Sequence, residues 1–90
     1  MKSFRSTTTP RFRQSFADLP PEIQEQAAKQ YALFAENPLH RSLRLKQIGN
    51  IWSVRVSRSY RAVATREADL FTWFWIGPHD EYEEILKRMK

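Results

Sequence analysis

His79 is the side chain in this sequence best suited to move a proton. It stands in WFWIGPHDEY, residues 73 to 82, after Gly77-Pro78 and before Asp80 and Glu81. An imidazole takes or gives a proton near neutral pH, so this position could serve a reaction. A histidine at a helix start also serves as a plain hydrogen-bonding flank, and the sequence holds both readings open. Upstream lies a second chemical resource. Between Asn37 and Arg66 there is no Asp or Glu, while Arg41, Arg44, Lys46, Arg55, Arg58, Arg61 and Arg66 are all present. That block carries +7, and the rest of the chain sums to −2, with eight Lys/Arg against ten Asp/Glu. A one-signed block attracts a polyanion and steers its approach, which points to nucleic acid or an acidic protein partner. A merely solvated face usually interleaves both signs.

Other chemistries are excluded by composition. With no Cys there is no disulfide framework, no thiolate nucleophile and no Cys-based zinc site. Only His40 and His79 are available as imidazoles, without paired spacing, so no metal and no cofactor is expected. His40, beside Arg41, has no supporting company. Lys2 and Arg5 precede no apolar run, so the start does not read as a secretory signal. The apolar stretch LFTWFWIG is far shorter than the ~20 residues of a membrane-spanning helix. A cytoplasmic protein of a bacterial type, with no membrane partner, is the expectation.

The elements that must position these residues can be read from periodicity. Ninety residues make one domain, spanning 1–90, burying roughly 60–65 % of the surface its unfolded chain exposes. Residues 3–8 predict a first strand, from Phe4 and the threonines. Thr9-Pro10 reads as an N-cap and first helical position, followed by Phe12, Phe16 and Leu19 on one face. Pro21 opens a second helix with Ile23, Ala27, Tyr31 and Phe34 aligned, and Asn37-Pro38 stops it. Period-two alternation then begins, with Leu43 and Leu45 opposite Arg44 and Lys46. It continues through IWSVRV and YRAVAT, where Trp52, Val54 and Val56 oppose Ser53 and Arg55. LFTWFWI is apolar on both sides and predicts a central strand, with Trp73 and Trp75 on one face as core. Asp80 and Glu83 fit a capping box for a last helix, with Tyr82, Ile85, Leu86 and Met89 as its apolar stripe and Lys87, Arg88 and Lys90 at its end. The expected fold is α+β: a small antiparallel curved sheet with an N-terminal helical hairpin and a C-terminal helix. The order is β-α-α-β-β-β-β-α, with the helices on one face.

That order, with LPPEIQEQAAKQYALFAENP, SLRLKQIGNIWSVRVSRSYRAV and WFWIGPHDEY in these places, resembles the RelE/ParE superfamily of bacterial type II toxins over nearly the whole chain. The resemblance implies a ribosome-dependent, metal-independent ribonuclease acting on mRNA, partnered by the ribosome and silenced by a cognate antitoxin. ParE-type members of the same fold instead poison DNA gyrase. A third reading is a basic RNA-binding module without catalysis.

Cleaving a phosphodiester through its own 2′-OH requires a base, balance for the charge on phosphorus, and help for the leaving oxygen. The resemblance assigns charge balance to Arg61, aligned with a phosphate-binding arginine of RelE and YoeB toxins. Arg55 falls where RelE has a catalytic lysine. His79 falls near the C-terminal histidine of YoeB and HigB toxins. Lys46, Arg44, Arg58 and Arg41 are expected to contact RNA, and Tyr82 is read mainly as packing, with base stacking as its alternative. Three departures from the pattern stand out: Ile85 replaces the RelE tyrosine, Ser53 replaces a RelE lysine, and no glutamate matches the YoeB base. The expected site therefore depends on His79 and cations.

Overall fold

The computed structural model describes residues 4–89, without the side chain of Met89. The strand start expected at Ser3, the place of Met89 on the apolar stripe and the charge of Lys90 thus lie outside the described residues. The order is β1 (Arg5–Thr8), α1 (Pro10–Ala17), α2 (Pro21–Glu36), a short 3-10 turn (Arg41–Leu43), β2 (Lys46–Ile48), β3 (Ile51–Arg55), β4 (Tyr60–Glu67), β5 (Leu70–Pro78) and α3 (His79–Met89). The α+β fold and element order agree with the expectation.

Local chemistry accounts for the boundaries. Thr9 caps α1, its Oγ1 accepting from the Phe12 amide at 3.1 Å, and Pro10 occupies the first turn where no amide proton is needed. Pro21 opens α2 in the same way, and Asn37, extended at φ −152° before Pro38, ends it.

Five strands form one sheet in the order β1-β5-β4-β3-β2. β2 to β5 are an antiparallel meander, but β1 adds to β5 in parallel, from Arg5 opposite Leu70 to Thr8 opposite Trp73. The expected all-antiparallel sheet is therefore corrected to a mixed one, and β5, expected at its centre, lies inside it between β1 and β4, with β4 as the middle strand. The connectivity permits this parallel edge, because β1 and β5 are far apart in sequence and are not joined by a hairpin. Arg5 clamps this edge, its Nη2 lying 2.9 Å from Asp69 Oδ1 in the turn before β5. That hydrogen bond holds the Asp69 carboxyl below its usual range.

Four further expectations are corrected. The alternation from Leu43 to Lys46 is not yet strand: Leu43 anchors the 3-10 turn with no exposed surface, and Arg44 closes it in the left-handed region at φ 47°. Burial of Leu43 and the His40 side chain, whose Nδ1 accepts from the Ser42 amide at 3.2 Å, hold the turn. Arg44 therefore does not share a strand face with Lys46, which opens β2. Second, the helices do not share one face. α1 and α2 cover a core of Phe34, Leu43, Val54, Ala62, Phe71 and Trp73, whereas Tyr82 and Leu86 of α3 join Ile51, Val63, Phe74 and Trp75 in a second cluster. Third, Trp73 and Trp75 belong to opposite clusters. A β-bulge is the cause: Val63 pairs with Trp75 and Ala64 with Trp73, so Phe74 is an extra residue that breaks the alternation. Fourth, α3 begins one residue early, at His79, so Asp80 lies inside its first turn and the capping box does not form.

Candidate active site

Arg61 enters near the start of β4, paired with Arg55 on β3 and with Gly77 on β5. Directly opposed residues in an antiparallel pair project to the same side, so two guanidinium-bearing side chains meet at this end of the sheet. Arg61 is half-buried, and one of its nitrogens is already committed. Nη1 donates to the carbonyl of Ser57 at 2.8 Å and of Tyr60 at 2.9 Å, with a longer contact to that of Arg58 at 3.4 Å. These bonds lock the guanidinium onto the β3–β4 turn, while its other donors make no hydrogen bond to the described residues. Desolvation lowers the Arg61 pKa, with Arg55 and, more weakly, Arg44 adding repulsion. An arginine remains cationic at neutral pH under such a shift.

The same turn fixes the histidine. The His79 amide donates to the Ser59 carbonyl at 2.8 Å, tying the first residue of α3 to the residue before β4. The imidazole stands beside Tyr82, ring centroids 5.6 Å apart, and its Nδ1 lies 3.5 Å from Glu83 Oε1, one helical turn on. His79 remains about 40 % exposed at its side chain, so it can meet a ligand. Together Arg58, Ser59, Arg61, Pro78, His79 and Asp80 line an open cleft of about 390 Å³. Two groups that the sequence separates by eighteen positions thus share one cavity. Asp80 on its wall, in the first turn of α3, is a carboxylate suited to the positive end of that helix.

The remaining expected residues divide. Arg41, Arg44, Arg55 and Arg58 line a neighbouring cleft of about 520 Å³ between α2, the 3-10 turn and the β3–β4 turn. Arg58 belongs to both clefts. Lys46, opposite Ser53 on β2, lines neither. Tyr82 is 3 % exposed and its hydroxyl donates to Ser53 Oγ at 3.1 Å, so the base-stacking alternative is corrected: the ring is packed in the core under α3. Ser53, where the toxin pattern has a lysine, is accordingly a buried partner rather than a surface cation. Sequence reasoning missed Glu83 as a neighbour of His79, although the spacing of four along a helix was available. It also missed Lys29 and Gln30 of α2, which no local signal connects with the strands.

A third cavity is apolar. It is a groove of about 520 Å³ between α1, α2 and the sheet, lined by Phe12, Phe16, Tyr31, Phe34 and Trp73 among others. Among the described residues no group of three or more His, Asp or Glu is placed to hold a metal ion. No helix among them is long and apolar enough to cross a membrane.

Comparison with known proteins gives a consistent picture. The family model of the ParE-like toxin domain matches residues 21–84. No curated protein matches the chain. Among solved structures, a free-state mutant of the E. coli toxin RelE superposes with a TM-score of 0.67 at 18 % identity, covering 99 % of this chain and 100 % of its own. The YafQ chain of the E. coli DinJ–YafQ toxin–antitoxin complex gives 0.69 at 8 % identity, covering 89 % and 97 %. An archaeal RelE–RelB complex from Pyrococcus horikoshii gives 0.65 at 12 %, covering 86 % and 96 %. At such identities the likeness to these structures is one of fold.

Proposed function

The chain belongs to the ParE-like toxin domain family, and on that premise we propose that it is the toxin of a bacterial type II toxin–antitoxin system that cleaves mRNA on the ribosome. The observation that carries this reading is the meeting of Arg61, Arg58 and His79 in one exposed cleft. A phosphodiester seated there lies against two guanidinium forks with an imidazole beside it. His79 takes the proton of the ribose 2′-OH as that oxygen bonds to phosphorus. Arg61, held on the turn by Nη1, presents its other donors to the charge on the pentacoordinate phosphate. The bond from phosphorus to the 5′-oxygen then breaks, leaving a 2′,3′-cyclic phosphate, and the departing oxygen is protonated by solvent. Arg55 supports the same charge from across the strand pair. Glu83, within reach of Nδ1, turns the other ring nitrogen toward substrate.

The complexes of RelE with RelB and of YafQ with DinJ support a cognate antitoxin as partner. The apolar groove beside α1 and α2 suits an amphipathic segment of such an antitoxin. The ribosome and mRNA are the other partners, and the cytoplasm is the site of action. A second reading, inhibition of DNA gyrase without ribonuclease chemistry, is favoured by the ParE-like description of the matching family.

The test is primer extension on an mRNA translated in a purified system, with and without ribosomes. New 3′ ends that need both ribosomes and His79 are expected, with His79→Ala lowering the rate by about 10²–10⁴-fold. Cleavage surviving in His79→Ala would reduce the imidazole to a helix flank. No cleavage under any condition, together with blocked supercoiling by gyrase, would establish the second reading instead.

A further inference from the structure

The cleft beside the candidate site has its own chemistry. It is bounded by Gln26, Lys29 and Gln30 of α2, by Arg41 and Arg44 of the 3-10 turn, and by Arg58. Among the described residues Val56 is its only apolar lining residue, and no carboxylate lines it. Three separate segments thus place cations around one space, at the cost of mutual repulsion. The arrangement is built rather than incidental. The Gln30 side-chain amide reaches from α2 to donate to the Arg55 carbonyl at 2.8 Å and the Ser42 carbonyl at 3.3 Å, fastening helix, turn and strand together. Arg44 is held there in a left-handed backbone conformation that a side chain of its type rarely adopts.

We propose that this cleft is a second phosphate-binding subsite, which takes the backbone of the same RNA strand whose scissile phosphate lies against Arg61. The proposal rests on the nuclease reading for the identity of the strand. Arg58, common to both clefts, is the link between the two phosphate positions. Guanidinium groups match phosphate oxygens bidentately, and Lys29 adds a point charge from the helix. An acidic amphipathic peptide fits less well, because its apolar anchors would find only Val56. Lys29 thereby becomes an RNA contact although it lies outside the basic block, and Gln30 becomes a positioning residue.

The experiment is fluorescence anisotropy with a labelled single-stranded 2′-O-methyl RNA, which has no 2′-OH to attack, titrated against the full chain over a range of salt. Lys29→Ala and Arg44→Ala are each expected to weaken binding and to make the slope of log affinity against log salt shallower by about 0.7, the value per phosphate contact on a single strand. Lys29→Arg is expected to restore both. Gln30→Leu should weaken binding while leaving the slope nearer that of wild type, since it removes no charge. Circular dichroism of each variant separates misfolding from lost contact. Wild-type affinity and slope in both charge-removing variants, or no measurable RNA binding by the wild type, would overturn the proposal. So would stronger competition from a polyglutamate peptide than from unlabelled RNA. The two readings fail separately. Cleavage in the purified translation system with unaltered binding in the Lys29 and Arg44 variants sinks the subsite alone. Binding that depends on them, without cleavage, sinks only the nuclease.

Discussion

At the scale of single residues, the site is defined by which donors are already spent. Arg61 has one nitrogen tied to carbonyls of the β3–β4 turn and keeps its remaining donors for a ligand. A lysine at this position keeps the charge but cannot both brace the turn and meet two phosphate oxygens. Arg61→Lys is therefore expected to slow cleavage by about 100-fold, with a stability loss of no more than about 2 kcal/mol. Single-turnover cleavage and chemical denaturation measure the two effects. A rate within about threefold of wild type would leave Arg61 as a brace only. Tyr82 and Ser53 allow a cleaner test. Both are buried, and the hydroxyl–hydroxyl bond of 3.1 Å is the side-chain hydrogen bond that joins α3 to β3. Tyr82→Phe strands the Ser53 hydroxyl and is expected to cost about 1–2 kcal/mol, while adding Ser53→Ala recovers most of it. Additive losses in urea denaturation would deny the pair its coupling. The roles proposed for Arg61 and His79 come from family resemblance, whereas their meeting in one cleft was not legible in the sequence. The pairing of Arg61 with Gly77, two residues before His79, and the bond from the His79 amide to the Ser59 carbonyl bring them together.

At the scale of elements, the turn and cap signals carried most of the information. Thr9-Pro10, Pro21 and Asn37-Pro38 are local, and each sets its boundary through backbone chemistry within a few residues. What stayed hidden depends on distant partners. The left-handed Arg44 follows from burial of Leu43, which periodicity alone cannot distinguish from a strand position. The bulge at Phe74 arises where β5 must serve two cores, and it sends Trp75 to the α3 side. There its indole lies over Gly77, where a Cβ would come within 2.7 Å of Cζ2. Gly77→Ala must therefore displace the ring next to the strand position that opposes Arg61. A loss of about 1–3 kcal/mol is expected, with a shift in tryptophan emission and reduced cleavage. Unchanged emission and melting would mean that the ring has room to move.

At the scale of the whole molecule, the sheet separates two surfaces with different duties. One face, under α1 and α2, carries the main core and the apolar groove. The other, under α3, carries the smaller core that ends at the His79 cleft. The net charge and the acid-free block were legible in the sequence as a concentration of cations. Their division into two clefts joined by Arg58 required the turn geometry. The parallel pairing of β1 with β5 adds a consequence in time. β1 is the first strand to be synthesised and β5 the last, so the sheet cannot close before residue 78 has been made. His79 is the next residue added. For most of its translation the nascent chain thus lacks both an interior strand of its sheet and its candidate base, and on the proposed reading it cannot yet cleave the message from which it is made. Ribosome-bound chains carrying a C-terminal linker test this order: protease resistance is expected only once the linker is long enough to free β5, and resistance in chains ending before Leu70 would refute it.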